Sequence, residues 1–253
     1  MVDAAERQRR YYAETVEAYD DLHVDHGDEH FVALSYISLV AHGVGARTIL
    51  DVGSGTGRSV EYLAGEGFDV VGVEPVTELI EHAVVRKGLD RPAFVRGSGL
   101  RLPFADQSFD VVCETGMLHH VQEPDAVVAE MARVARRAVF LSDNNRFAFG
   151  RRALGVAKLA LWRTGLWGLS YRLRTRGRGY RVSGDDGVWV SYSVYDSLPV
   201  LAEWADRVFF VPTDRVVAPS WSHPLLSSYH VLLCAVRGEI APVRPAGQGG
   251  SAG

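Results

Sequence analysis

The stretch Leu50–Ser59, LDVGSGTGRS, runs from a short apolar segment into Gly53, Gly55 and Gly57 at alternate positions, and then into a helical pattern. Glycine lets a backbone turn tightly and approach a ligand closely. A second feature gives the loop a purpose. Glu74 closes the next apolar run, about twenty residues after the loop. A carboxylate at that place can accept hydrogen bonds from both hydroxyls of a ribose. The two features together point to an adenosine-bearing cofactor. Nicotinamide loops favour G-x-G-x-x-G, but position 58 is Arg58, and the pattern here is D-x-G-x-G-x-G. A plain strand-to-helix turn is the bland alternative.

Outward from this loop, short runs rich in β-branched residues alternate with helical patterns. RTILDVG, FDVVGVE, AFVRG, SFDVVCE and AVFLSD read as strands, and RSVEYLAGEG, TELIEHAVVRKG and PDAVVAEMARVARR as helices. Such alternation implies βαβ units and a parallel sheet with helices on both faces. The first fifty residues read as helices, and RVFFVP and SYHVLLCAVR as two late strands. The expected fold is a Rossmann-like, doubly wound, mostly parallel seven-stranded α/β sheet with N-terminal helices and a cap inserted after the fifth strand. The expected units are a helical cap over residues 1–44, a cofactor-binding core over 45–143, a substrate cap over 144–206, the last two core strands over 207–238, and a disordered tail over 239–253.

Composition excludes several classes. With 47% hydrophobic and 23% charged residues, the chain can bury a sizeable core and is not disordered by composition. A formal charge of -4 and a pI near 6.1 give no overall argument for nucleic acid. No uncharged apolar run reaches the ~20 residues of a membrane span, and the charged N-terminus has no secretory signal pattern. Cys113 and Cys234 each sit in an apolar strand-like run, which fits buried reduced thiols and a cytoplasmic protein. The charge is unevenly spread: residues 144–184 hold ten Arg or Lys and no Asp or Glu.

On LDVGSGTG, VGVEP, GSGLRLPFADQSFDVV and LHHVQEPDAVVAEMARVARR, the chain resembles the class I S-adenosylmethionine-dependent methyltransferases, in their small-molecule "type 11" branch. The resemblance covers roughly residues 45–143. It implies S-adenosylmethionine as cofactor, with Asp51, Gly53, Ser54 and Gly55 at the loop and Glu74 on the ribose. Pro75 and Val76 would lie beside the adenine, Ser98 and Gly99 at its edge, and Glu114 and Thr115 at the methionine end. Tyr12 and Tyr19 would close over the cofactor from an N-terminal helix. Two departures stand out. Ser98 replaces the usual acid, so the adenine amino group loses a charge-assisted partner. ARRA replaces the usual Pro-Gly-Gly turn before the fifth strand.

Methyl transfer is an in-line displacement from an activated sulfonium, so the protein must chiefly align the acceptor and exclude water. A base is needed when the acceptor loses a proton. His119 and His120 follow the fourth strand at its carboxyl end, where sulfonium and acceptor should meet, and are the candidate catalytic pair. Neighbouring histidines are expected to point in different directions, so no metal is expected. His23, His26 and His30 with Asp25, Asp28 and Glu29 admit a metal cluster, substrate contact or a solvated helix start. The apolar part of the insert, ALGVAKLALWRTGLWGL, reads as a hydrophobic cap over the acceptor pocket, with Trp189, Tyr192 and Tyr195 as walls. Its arginines admit a mobile lid, an anionic acceptor, RNA or a membrane surface. The leading expectation is O-methylation of a bulky natural-product intermediate of secondary metabolism, a small-molecule acceptor, with no nucleic-acid partner. An RNA-modifying methyltransferase and a non-catalytic cofactor-fold protein are the alternatives.

Overall fold

The computed structural model describes residues 4–18, 29–184, 186–214 and 223–241. Two helices come first, α1 (Ala4–Thr15) and α2 (Glu29–Gly43). The core then alternates β1 (Thr48–Val52), α3 (Arg58–Gly65), β2 (Asp69–Glu74), α4 (Thr77–Arg86), β3 (Phe94–Arg96), β4 (Phe109–Thr115), α5 (Pro124–Val134) and β5 (Ala135–Asn144). The inserted segment holds α6 (Arg152–Arg163), α7 (Trp167–Arg174) and a hairpin of β6 (Arg181–Ser183) and β7 (Gly187–Trp189). The chain returns through α8 (Leu198–Trp204), β8 (Arg207–Pro212) and β9 (His230–Val236).

The sheet has seven strands in the order β3-β2-β1-β4-β5-β9-β8. The first five pair in parallel, and β9 runs antiparallel to both β5 and β8. The order reverses between β1 and β4, and ligands bind outside the carboxyl ends of strands at such a switch point. The sheet is covered on both faces, which is why its strands are continuous apolar runs rather than alternating ones. Leu50, Val52, Val112, Val139 and Leu141 pack on one face with α5 and α8. Ile49, Val111, Cys113 and Phe140 pack on the other with Leu34, Ile37 and Leu63 of α2 and α3. Successive residues of one strand thus serve opposite layers.

Two expectations about the insert are corrected. Tyr192 and Tyr195 are not pocket walls. Both belong to the main core, where the Tyr192 hydroxyl meets Ser197 Oγ at 2.7 Å. The apolar helices also do not roof the acceptor site. Leu154 and Val156 of α6 and Leu169 and Leu173 of α7 face outward, because the two helices bury only Gly155 and Tyr171. The roof is the hairpin instead. Tyr19, His23, Asp25, His26, Asp28 and nearly all of the 239–253 tail lie outside the described residues.

Candidate active site

The site begins at the end of β1. Gly53 takes φ +77°, and its N–H donates to the Val73 carbonyl at 2.8 Å, which turns the loop back towards β2. A Cβ added there would stand 2.5 Å from Met117 Cγ, so no other residue fits without moving that neighbour. Glu74, at the end of β2, lies under the loop. Its two carboxyl oxygens accept the N–H groups of Gly55 at 3.0 Å and Val76 at 2.9 Å. Burial pushes its pKa up to about 7, against the pull of these two donors and with a further push from Asp51.

A cleft of about 240 Å3 opens above Glu74. Gly53, Gly55, Glu74, Pro75 and Val76 line it from one side. Ser98 and Gly99 line it beyond β3, and Thr115 from the end of β4. Tyr12 closes it from α1, where Ala5, Gln8 and Arg9 also face the cleft. Of the remaining expected residues, Asp51, Ser54 and Glu114 lie behind the wall. Asp51 is 1% exposed, and burial raises its carboxyl to about 7. Ser54 packs against Gly72. Glu114 is fully buried and accepts the Met117 N–H at 2.9 Å; burial, then the charge of Asp143, pushes its pKa up. These three support the loop and the turn after β4 from beneath. The reason is the strand period: Asp51 faces the layer opposite to that of its neighbours Leu50 and Val52.

α1 is tied across the molecule. Gln8, 7% exposed, donates from Nε2 to the Asp186 carbonyl at 3.2 Å and accepts the Val188 N–H. The roof of the cleft is therefore bonded to the β6–β7 hairpin.

A second chamber of about 660 Å3 lies beyond Thr115 and Gly116. His119, His120, His30, His230, Asp186 and Trp189 all face it, with Phe149, Arg58 and Arg181. Tyr12, Thr115, Gly116 and His120 line both cavities and mark their junction. His119 Nδ1 stands 2.8 Å from Asp143 Oδ1. Burial works against its charged form, but Asp143 and Asp186 outweigh it and push the pKa up to about 10. His120 donates from Nδ1 to the Val188 carbonyl at 2.6 Å, which leaves Nε2 to accept the Tyr12 hydroxyl at 2.8 Å. Burial, then the charge on His119, lowers its pKa to about 4.

The expectation that the two rings point apart fails. Their centroids are 3.9 Å apart, and each Nε2 stands 3.4 Å from an Asp186 oxygen. Each ring is held by a different acceptor, one on β5 and one on the hairpin, and both acceptors turn it to the same side. Asp143, Asp186 and His230 escaped the sequence reading. Only Asp143 carried a local signal, as an acid near the carboxyl end of a core strand.

Comparisons with known proteins bear on this geometry. The "Methyltransferase domain" family model matches residues 50–141. An uncharacterized methyltransferase of Mycobacterium marinum is 39% identical over 105 residues, 41% of either chain. One of Mycobacterium avium is 41% identical over 97 residues, 38% of either chain. The match thus spans about two fifths of the length of these curated relatives. Among solved structures, the magnesium protoporphyrin IX methyltransferase of Synechocystis PCC 6803 with bound SAH superposes with a TM-score of 0.57. It is 18% identical, over 93% of this chain and all of that one. A SAM-dependent methyltransferase of Methanosarcina mazei gives 0.53 at 17% identity, over 76% of this chain and 92% of that one. At such identities the two structures show the fold alone. Over residues 50–141, then, the chain is similar to the methyltransferase domain family, and its sheet has the Rossmann-like fold seen in the S-adenosylmethionine-dependent methyltransferases.

Proposed function

We propose that this chain transfers a methyl group from S-adenosylmethionine to the oxygen of a bulky small molecule, a natural-product intermediate. The observation that carries the proposal is the pair of joined cavities. The cleft over Glu74 offers a buried carboxylate and a glycine loop to an adenosine, and it opens through Tyr12, Thr115, Gly116 and His120 into a larger chamber. The cofactor supplies a methyl group on a sulfonium, already activated for displacement. The protein's task is alignment and exclusion of water. α1 covers the cleft, and Trp189 and Phe149 give the chamber apolar walls. His119 and His120 orient the acceptor at the junction. The free buried thiols of Cys113 and Cys234 support a reducing, cytoplasmic setting.

The test is mass spectrometry of a metabolite extract incubated with the protein and methyl-labelled cofactor, alongside calorimetry of cofactor binding. Stoichiometric binding and a labelled small-molecule ether or ester are expected. Absence of cofactor binding would overturn the proposal. A second reading, methylation of RNA, draws on exposed arginines of the insert such as Arg163, Arg172, Arg174, Arg176 and Arg178. It requires RNA affinity that falls steeply with salt, and salt-insensitive binding would exclude it.

A further inference from the structure

The two histidines of the chamber stand in an arrangement that orienting an acceptor does not by itself require. His119 and His120 are each fixed at Nδ1 by an acceptor, Asp143 Oδ1 at 2.8 Å and the Val188 carbonyl at 2.6 Å. A carbonyl oxygen only accepts, so His120 carries its proton on Nδ1 and presents the Nε2 lone pair. Asp143 claims the Nδ1 proton of His119 in the same way. A ring held at one nitrogen by a carboxylate or backbone carbonyl, with the other nitrogen aimed into a cavity, is the usual posture of a metal-ligating histidine.

The second observation is where those nitrogens aim. Both Nε2 atoms face one carboxylate, that of His119 3.4 Å from Asp186 Oδ2 and that of His120 3.4 Å from Oδ1, so either oxygen can turn to complete the site. Two donor atoms bound at ~2.1 Å to one tetrahedral ion stand about 3.4 Å apart. The third observation is charge. Asp143 and Asp186 lie at the two nitrogens of His119, so the place is built for a cation. Two imidazoles and one carboxylate suit a first-row divalent transition ion better than Mg2+ or Ca2+, which take oxygen donors.

We propose that His119 Nε2, His120 Nε2 and an Asp186 oxygen bind a divalent transition-metal ion in the acceptor chamber, leaving coordination positions open to an oxygen of the acceptor. Binding displaces the Tyr12 hydroxyl from His120 Nε2, and it releases to solvent the proton that His119 Nε2 otherwise shares with Asp186. Ion binding stands on this geometry alone; its service to the acceptor rests on the methyltransferase reading. Among the described residues a second group, Glu29, His30 and His230, also has ligating atoms within 4.8 Å of one another. It faces the same chamber and serves as the internal control.

The experiment is titration of the full chain with Co2+, read by its visible absorption and by proton resonance. One equivalent should bind, with d–d bands, and Zn2+ should displace it. Two exchangeable imidazole N–H resonances should appear far from their ordinary positions, one for each Nδ1 proton. Asp186→Ala and His119→Ala, checked for folding by circular dichroism, should weaken binding by at least about 100-fold. Asp143→Asn should weaken it by about 10- to 100-fold, as loss of an outer-shell partner does. Glu29→Ala should leave the spectrum unchanged. No Co2+ binding, fewer than two such resonances in the unmodified protein, or loss with Glu29→Ala in place of Asp186→Ala would overturn the site. Cobalt binding without methyl transfer would overturn only the acceptor's part in it, and methyl transfer without cobalt binding would overturn the site alone.

Discussion

At the scale of single residues, Glu74 and His120 carry the clearest consequences. Ribose hydroxyls donate to an ionised carboxylate, so cofactor binding favours ionised Glu74. Because burial holds that group near pH 7, binding below this pH must first remove a proton. Cofactor affinity is expected to be flat above about pH 7.5 and to fall as pH drops below 7, by up to about tenfold per unit. Calorimetry at pH 6, 7 and 8 reads it directly, and Glu74→Gln should abolish the trend. Glu74→Ala should weaken the cofactor by at least about 1 kcal/mol, the scale of a hydrogen bond to a charged group; unchanged affinity would refute the ribose assignment. His120→Ala should lower turnover by about 100-fold, the cost of a misplaced acceptor, while cofactor affinity changes far less. Equal losses in both would remove His120 from the acceptor side. The turn at Gly53 and the place of Glu74 at the end of β2 were legible because each is local. The direction of His119 and His120 was not, because it depends on Asp143 and on the carbonyl of Val188, which lies 68 residues from His120.

At the scale of elements, the strands and helices of the core announce themselves by length and by β-branched runs. The insert does not. Its apolar helices promised a roof, yet they leave leucines facing outward, and a hairpin of two three-residue strands does the covering. The hairpin is placed by a contact no periodicity encodes, the double hydrogen bond of Gln8 to its backbone. Gln8→Ala leaves the Val188 N–H without this acceptor in a buried place, which costs roughly 1–3 kcal/mol. The expected result is faster amide exchange in both α1 and β7, with the central strands unchanged. Exchange that rises in α1 alone would show that the two elements are not joined through this side chain.

At the scale of the whole molecule, the strand order puts the glycine loop after β1 at a reversal of topology, and helices cover the sheet on both faces. The alternation of strands and helices made this fold legible, whereas the pairing of β9 between β5 and β8 joins segments far apart in the chain. The central strands carry the turns that line the site. Phe140, fully buried on β5 between β4 and β9, is packed on all sides. Phe140→Ala should lower stability by about 3–5 kcal/mol, measured by denaturant unfolding; a loss under about 1 kcal/mol would mean the layer can collapse around the gap. The Gln8 clip also has a consequence in time. In the proposed reaction α1 lifts to admit the cofactor, and the hairpin bonded to it walls the second chamber. Turnover should therefore be ordered, with the methyl donor entering first and the demethylated cofactor leaving last. In steady-state kinetics that product should compete with the donor but not with the acceptor. Competition with both would mean that roof and wall open independently.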